Sequence, residues 1–195
     1  MPLNSANSLA YAEIMCVGDR PFTVRLKIAL ESEMTEAVKL PLQRVRRWFK
    51  STSNRTFIVY PIAIVAFELG LRGGKLSVQP WGAILLLWGY LQYRLVGAYR
   101  QRLGGGGPGI DVPPDSIVAE GPYRYVRNPM YLGHLIFMLG LAIAFSSWPA
   151  LALFAFHASW FHRRVLKDEA RLELRFGEPY RAYKARVKRW IPGVV

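Results

Sequence analysis

Met130–Ser146 and Trp148–His162 together contain no Asp, Glu, Lys or Arg. A helix packed in a soluble bundle keeps one polar face, and neither run has one. Only Ser147 separates them, with Ser146-Ser147-Trp148-Pro149 as the turn. The pair therefore predicts a tight helical hairpin that is apolar all round. Two further apolar runs precede it, Phe57–Leu71 and Trp81–Tyr99. A spanning helix needs about 20 residues, with a range of about 17–25. The second and third runs meet that length, and the first and fourth meet it with their flanks. The expected fold class is all-α: a polytopic transmembrane helical bundle of about four spans.

Charge sets the expected orientation. Lys and Arg number 26 against 13 Asp and Glu, a net charge of +13. Before the first run lie Lys39, Arg44, Arg46, Arg47, Lys50 and Arg55, and the 72–80 loop has only Arg72 and Lys75. Arg100, Arg102, Arg124 and Arg127 fall between runs two and three, none falls in the next turn, and ten follow from Arg163 to Arg189. This alternation places both termini and the long loop on the cytoplasmic side, with a bacterial inner membrane as the expected location. Segregation by membrane side also disfavours a nucleic-acid binder, which shares the charge but not the long apolar runs. A hydrophobic content of 52% excludes a disordered chain. The single cysteine, Cys16, excludes an intrachain disulfide framework and any Cys-only metal site.

Upstream of the hairpin, Pro41–Lys50 puts Leu42, Val45, Trp48 and Phe49 on one helical face and arginines on the other. That is the pattern of an interfacial arm facing anionic headgroups. No secretory leader is apparent in the first twenty residues. The run Gly104–Gly107 with Pro108-Gly109 cannot be helical and reads as a cytoplasmic hinge. No GK[ST] follows to make it a phosphate loop. Glu68 and Arg94, inside the first and second runs, are either functional groups or snorkelling ones. His134, His157 and His162 lack HExxH or carboxylate spacing, so no metal site is expected.

Two polar clusters flank the charge-free hairpin. One is GPYRYVRNPMYLG, residues 121–133; the other is RRVLKDE, residues 163–169, followed by FGEPY, residues 176–180. A hairpin returns both to one membrane face. They would then line a pocket that is polar toward the cytosol and apolar toward lipid. Such a pocket suits a reaction between a water-soluble cofactor and a lipid-borne acceptor.

The ordered set GPYRYVRNPMYLG, apolar hairpin, acidic pair and FGEPYRAYKARVKRWIP resembles the isoprenylcysteine carboxyl methyltransferase and phospholipid methyltransferase superfamily. That superfamily's pattern is Arg-His-Pro-x-Tyr, a helical hairpin, an acidic pair and Phe-Gly-x-x-Tyr. The resemblance extends over about residues 81–192. It implies an integral membrane enzyme with S-adenosylmethionine as methyl donor and a C-terminal cytoplasmic cofactor cradle. Residues 1–55 lie outside it, and the expected domains are 1–55, an arm with the interfacial helix, and 56–195, the methyltransferase domain.

Carried over by position, Asp115, Ser116, Ile117 and Val118 are similar to the cofactor segment His-x-Leu-Val, and Tyr123 to the cofactor tyrosine after it. Asn128, Pro129, Met130 and Tyr131 match His-Pro-x-Tyr. Asp168 and Glu169 match the acidic pair for the cofactor's amino end, and Arg164 the arginine assigned to the acceptor. Two positions depart, with Asn128 and Asp115 standing where the family has His. Asn offers a donor and an acceptor but cannot become cationic. The implied function is methyl transfer to a lipophilic acceptor, isoprenylcysteine-like. The alternatives are a phospholipid amine, a small apolar thiol or acid, or a non-enzymatic membrane scaffold.

Overall fold

A computed structural model describes residues 41–190. The first forty residues of the expected arm and the last five residues lie outside that range. The chain divides into two compact units, Met1–Trp48 and Phe49–Val195. Residues 41–50 are helical (α1), and Leu42, Val45, Trp48 and Phe49 are exposed. Five further helices follow: α2 (Thr52–Leu71), α3 (Pro80–Gly104), α4 (Pro129–Phe145), α5 (Trp148–Phe176) and α6 (Glu178–Arg186). The all-helical expectation holds among the described residues, where pairing between extended segments is limited to one isolated bridge, Val126 to Lys188.

Of the described helices, α2 is long and apolar enough to cross a membrane, and α4 is a shorter apolar helix of 17 residues. α2 is not regular. Residues Arg55–Val59 form a π-turn just before Pro61. Proline has no N–H and crowds the carbonyl four residues back, which widens the preceding turn. At its far end, buried Glu68 pairs with Arg72 at 2.9 Å, and Arg72 donates to the Phe145 carbonyl at 2.8 Å. Glu68 thus anchors α2 to the end of α4. Arg94 is exposed on α3.

α3 and α4 run antiparallel at close range. A Cβ on Gly140 would lie 2.7 Å from the Leu86 nitrogen, and one on Gly89 would strike the Phe137 backbone. Small residues at such positions let two helix backbones approach where no hydrophobic effect drives them together. The α4–α5 hairpin closes as expected. Ser146 adopts the left-handed conformation at φ 47°, and the Ser147 hydroxyl accepts from the Ala150 N–H at 3.3 Å.

α5 does not stop where its apolar run stops. It continues as one helix of 29 residues, about 43 Å long, into the charged segment. The glycine-rich loop is not a free hinge either. Buried Arg100 reaches back to the carbonyls of Gly107, Gly109 and Val112 at 2.7, 2.7 and 2.9 Å. Its guanidinium organises the loop from inside.

Candidate active site

Arg164 and Asp168 stand four apart on α5 and so share one helix face. Arg164 Nε lies 3.7 Å from Asp168 Oδ2. The hairpin brings the first turn of α4 against that face, where the Tyr131 hydroxyl donates to Asp168 Oδ2 at 2.6 Å. Among the described residues, Asp168 Oδ1 meets the exposed Arg171, at 3.4 Å.

The rest of the Arg164 guanidinium is engaged from outside the hairpin. Nη2 donates to Asp111 Oδ1 at 2.7 Å, and Nη1 donates to Thr52 Oγ1 at 3.0 Å. Asp111 also accepts from the Thr52 N–H at 3.0 Å and the Thr52 hydroxyl at 2.9 Å, so it caps the start of α2. Burial alone would push the Asp111 carboxyl up. Hydrogen bonds from Arg164 and Thr52 outweigh it and hold the group below its ordinary value. The Arg164 ring neighbours are Trp160 and Tyr131, 5.5 and 5.8 Å from the guanidinium carbon.

Glu169 is one residue on and therefore rotated about 100° around the helix. Its carboxylate is buried and already satisfied. Arg127 Nε donates to Oε1 at 3.1 Å, Arg189 Nη2 to Oε2 at 2.9 Å, and Asn128 Nδ2 to Oε1 at 3.2 Å. Burial raises this group too, yet the Arg189 and Arg127 hydrogen bonds bring it below the ordinary carboxylate value. Arg127 also donates to the Lys184 and Val187 carbonyls at 2.7 and 2.6 Å, and its N–H to the Lys188 carbonyl at 2.9 Å. The segment after α6 is thereby laced to the residues before α4.

Two adjoining cavities open on this cluster. Ile110, Asp111, Met130, Tyr131 and Arg164 belong to the first. Ile117, Val118, Glu169, Phe176, Tyr180 and Tyr183 belong to the second. Arg100, Tyr123, Arg127, Asn128, Asp168 and Leu172 border both. Tyr123 is buried, which pushes its phenol well above the usual range, and its carbonyl accepts from the Tyr183 hydroxyl at 2.8 Å. Of the sequence-derived residues, Ile117, Val118, Tyr123, Asn128, Met130, Tyr131, Arg164, Asp168 and Glu169 thus converge on one place. Asp115, Ser116 and Pro129 do not line either cavity. Asp115 accepts from the Gly106 N–H at 2.7 Å, and Ser116 donates to the Leu103 carbonyl at 3.4 Å. Asp115 thus faces the glycine-rich loop and Ser116 the end of α3. Pro129 begins α4, and its carbonyl accepts from Gln92 at 2.9 Å.

A family model described as phospholipid methyltransferase matches residues 80–177, half of the 195-residue chain. The chain belongs to the phospholipid methyltransferase family. A curated relative, the protein-S-isoprenylcysteine O-methyltransferase of the fission yeast Schizosaccharomyces pombe, is 34% identical over 77 residues. That alignment covers 39% of this chain and 33% of the relative, so the chain matches about a third of the yeast protein's length.

The phospholipid methyltransferase match begins on the first residue of α3 and ends on the glycine that caps α5. It holds Asp111, Asn128, Tyr131, Arg164, Asp168 and Glu169. Thr52 and Arg189, which complete the two ion clusters, lie outside it. Neither they nor Asp111 nor Arg100 stood out in the sequence. Arg189 is one of ten basic residues in the tail, and nothing in the order of residues tells Asp111 from Asp115 as the acid that turns toward Arg164.

Proposed function

We propose that this phospholipid methyltransferase family member is an integral membrane enzyme moving a methyl group from S-adenosylmethionine to the carboxylate of a lipophilic, isoprenylcysteine-like acceptor. The observation that carries the reading is the pairing of Arg164 and Asp168 on one face of α5, at the end of its apolar stretch. One offers a cation for an acceptor carboxylate and the other an anion for a donor ammonium.

The residues present fit the donor. Among the described residues, one Asp168 oxygen has only the exposed Arg171 at 3.4 Å, and the second cavity offers an apolar wall of Ile117, Val118, Leu172 and Phe176 suited to an adenosine. Asn128 and Tyr123 border both cavities and supply polar contacts. S-adenosylmethionine, when bound, supplies a methyl on a positive sulfur: an acceptor oxygen's lone pair forms the new C–O bond as the C–S pair returns to sulfur. The protein's part is alignment and exclusion of water. A carboxylate acceptor needs no general base, and none is assigned. Glu169 acts as a positioning residue, holding Arg127 and Asn128 where they border the cavities.

In this reading the bundle has four spans, with both termini and the site facing the cytoplasm. The distribution of Lys and Arg supports that orientation. The basic helix over residues 41–50 lies along anionic headgroups. The test is incubation of membranes with methyl-labelled donor and candidate lipids. Label that alkali releases as methanol marks a carboxyl ester and supports the reading. Label held in alkali-stable form on a phospholipid amine replaces it with amine methylation.

A further inference from the structure

A carboxylate meets an arginine best through two parallel N–H groups on one edge of the guanidinium. On Arg164, Nη2 belongs to both the Nη1–Nη2 edge and the Nε–Nη2 edge. Its two N–H groups meet Asp111 at 2.7 Å and the Ile110 carbonyl at 3.4 Å, while Nη1 carries Thr52 at 3.0 Å and Nε faces Asp168 at 3.7 Å. Among the described residues, Asp111 and Thr52 hold the Nη1–Nη2 edge, while the Nε–Nη2 edge faces Asp168 and the Ile110 carbonyl, so an incoming carboxylate can pair with the Nη1–Nη2 edge only when Asp111 moves aside. Asp111 sits in the loop between α3 and α4 rather than in a helix, and its side chain is 38% exposed. Its side chain has the solvent access to turn away on a loop backbone that Arg100 holds in place.

We infer that Asp111 is the specificity-determining counter-ion of the acceptor site: its carboxylate occupies the Arg164 position that an acceptor carboxylate must take, and the acceptor binds by displacing it. The inference rests on the reading of Arg164 as the acceptor's cation. Asp111 acts through Arg164 and is a positioning residue. Thr52 sets how firmly it is held, through the N–H and hydroxyl bonds at 3.0 and 2.9 Å. The device favours acceptors whose carboxylate is delivered with a large apolar anchor, because displacement of Asp111 has to be offset by lipid burial. Short soluble carboxylates, lacking that anchor, are turned away.

The test uses the full chain in membranes with an N-acylated S-prenyl cysteine as acceptor. Its carboxamide, which cannot be methylated at oxygen, serves as a competing ligand. Asp111→Asn keeps the hydrogen-bonding shape and removes the charge. The KM for the carboxylate acceptor should fall roughly three- to tenfold, the scale of one half-exposed ion pair. kcat should hold within about twofold, and inhibition by the uncharged carboxamide should be unchanged. Thr52→Val, which loosens Asp111 without removing it, should lower KM in the same direction by less. If KM is unchanged or rises in both variants, Asp111 is only a brace for α2 and the inference is overturned. If Asp111→Asn binds no donor, and so has not folded, the KM of Thr52→Val alone decides. A native protein that methylates no carboxylate fails at the reading of Arg164 and takes the inference with it. A native protein that does so, with KM kept in both variants, overturns the inference alone.

Discussion

Arg189 Nη2 reaches Glu169 Oε2 at 2.9 Å, joining the tail after α6 to the last third of the site-bearing helix across twenty positions. Arg127 approaches the same carboxylate from the segment before α4. One buried acid thus holds three pieces of chain together. Because Arg127 and Asn128 border the cavities, the shape of the site depends on that acid even though its own oxygens are taken.

Glu169→Ala should therefore act on stability before it acts on binding. It leaves two guanidinium groups facing each other, one of them nearly inaccessible to water. Removing one partner of a buried pair costs about 3–5 kcal/mol. A thermal melt of the purified protein in detergent should drop by many degrees. Glu169→Gln, which keeps hydrogen-bond acceptance, should lose less. A native-like melting temperature in both variants would show that the cluster is not what closes the tail.

The same cluster sets a direction in pH. The folded Glu169 carboxyl lies below its ordinary value, so the folded state binds the proton less readily than the unfolded chain. Its contribution is complete above the ordinary carboxylate value, about 4.3. It is lost as pH falls from there through the lowered folded value. Melting temperatures recorded downward from pH 6 should hold, then fall, and the fall should be shallower in Glu169→Gln. Equal slopes in the two proteins would assign the acid sensitivity to other groups.

Asp168→Asn should behave in the opposite way. Its carboxylate faces a cavity and is half-open, so the melt should change little. Donor affinity, measured by calorimetry, should weaken by about 1.5–3 kcal/mol, the value of a hydrogen bond to a charged group. Unaltered affinity would move the ammonium site elsewhere in the two cavities.

Two glycines separate packing from propensity. Gly89→Val would drive its side chain into the Phe137 backbone, and a loss of about 3 kcal/mol or more is expected. Gly70→Ala meets nothing within 4 Å and sits in α2, where alanine is the better helix former by about 0.5–1 kcal/mol. Expression and detergent melts should rank Gly70→Ala at or above the native chain and Gly89→Val far below. Reversed order would mean that α3 and α4 are not in contact at that register.

The helical hairpin and the residues that converge on its polar end were legible because both follow from local pattern. Apolar runs without a polar face must be helices in an apolar medium, and Ser146-Ser147 with Pro149 marks the turn. The site motif around Asn128–Tyr131 and the pair Asp168-Glu169 were legible as a resemblance carried by order and spacing. What lay hidden was set by long-range geometry. Asp168 and Glu169 are adjacent and chemically alike. Yet both border the second cavity and only Glu169 has both oxygens taken by arginines, from 42 and 20 residues away, a difference fixed by the helix turn between them. Asp115 carried the positional match, while Asp111 took the place beside Arg164. The fourth apolar run ends at His162 while the helix continues to Phe176, because hydropathy reports the surroundings of a segment and not its backbone.

That unbroken α5 carries a constraint of its own. A helix is a screw, in which each residue adds about 100° of rotation and about 1.5 Å of advance. The apolar end of α5 is fixed by the hairpin, so the azimuth and the height of Arg164 are fixed together. One residue inserted after His162 would swing Arg164 and Asp168 through more than a quarter-turn, away from Asp111 and Tyr131. Seven inserted residues would nearly restore the bearing but would lift both groups about 10 Å beyond the loop that meets them. No small insertion restores both coordinates. Length variation in homologous chains should therefore fall in the loops before α3 and between α3 and α4, and avoid the stretch from Trp148 to Glu169.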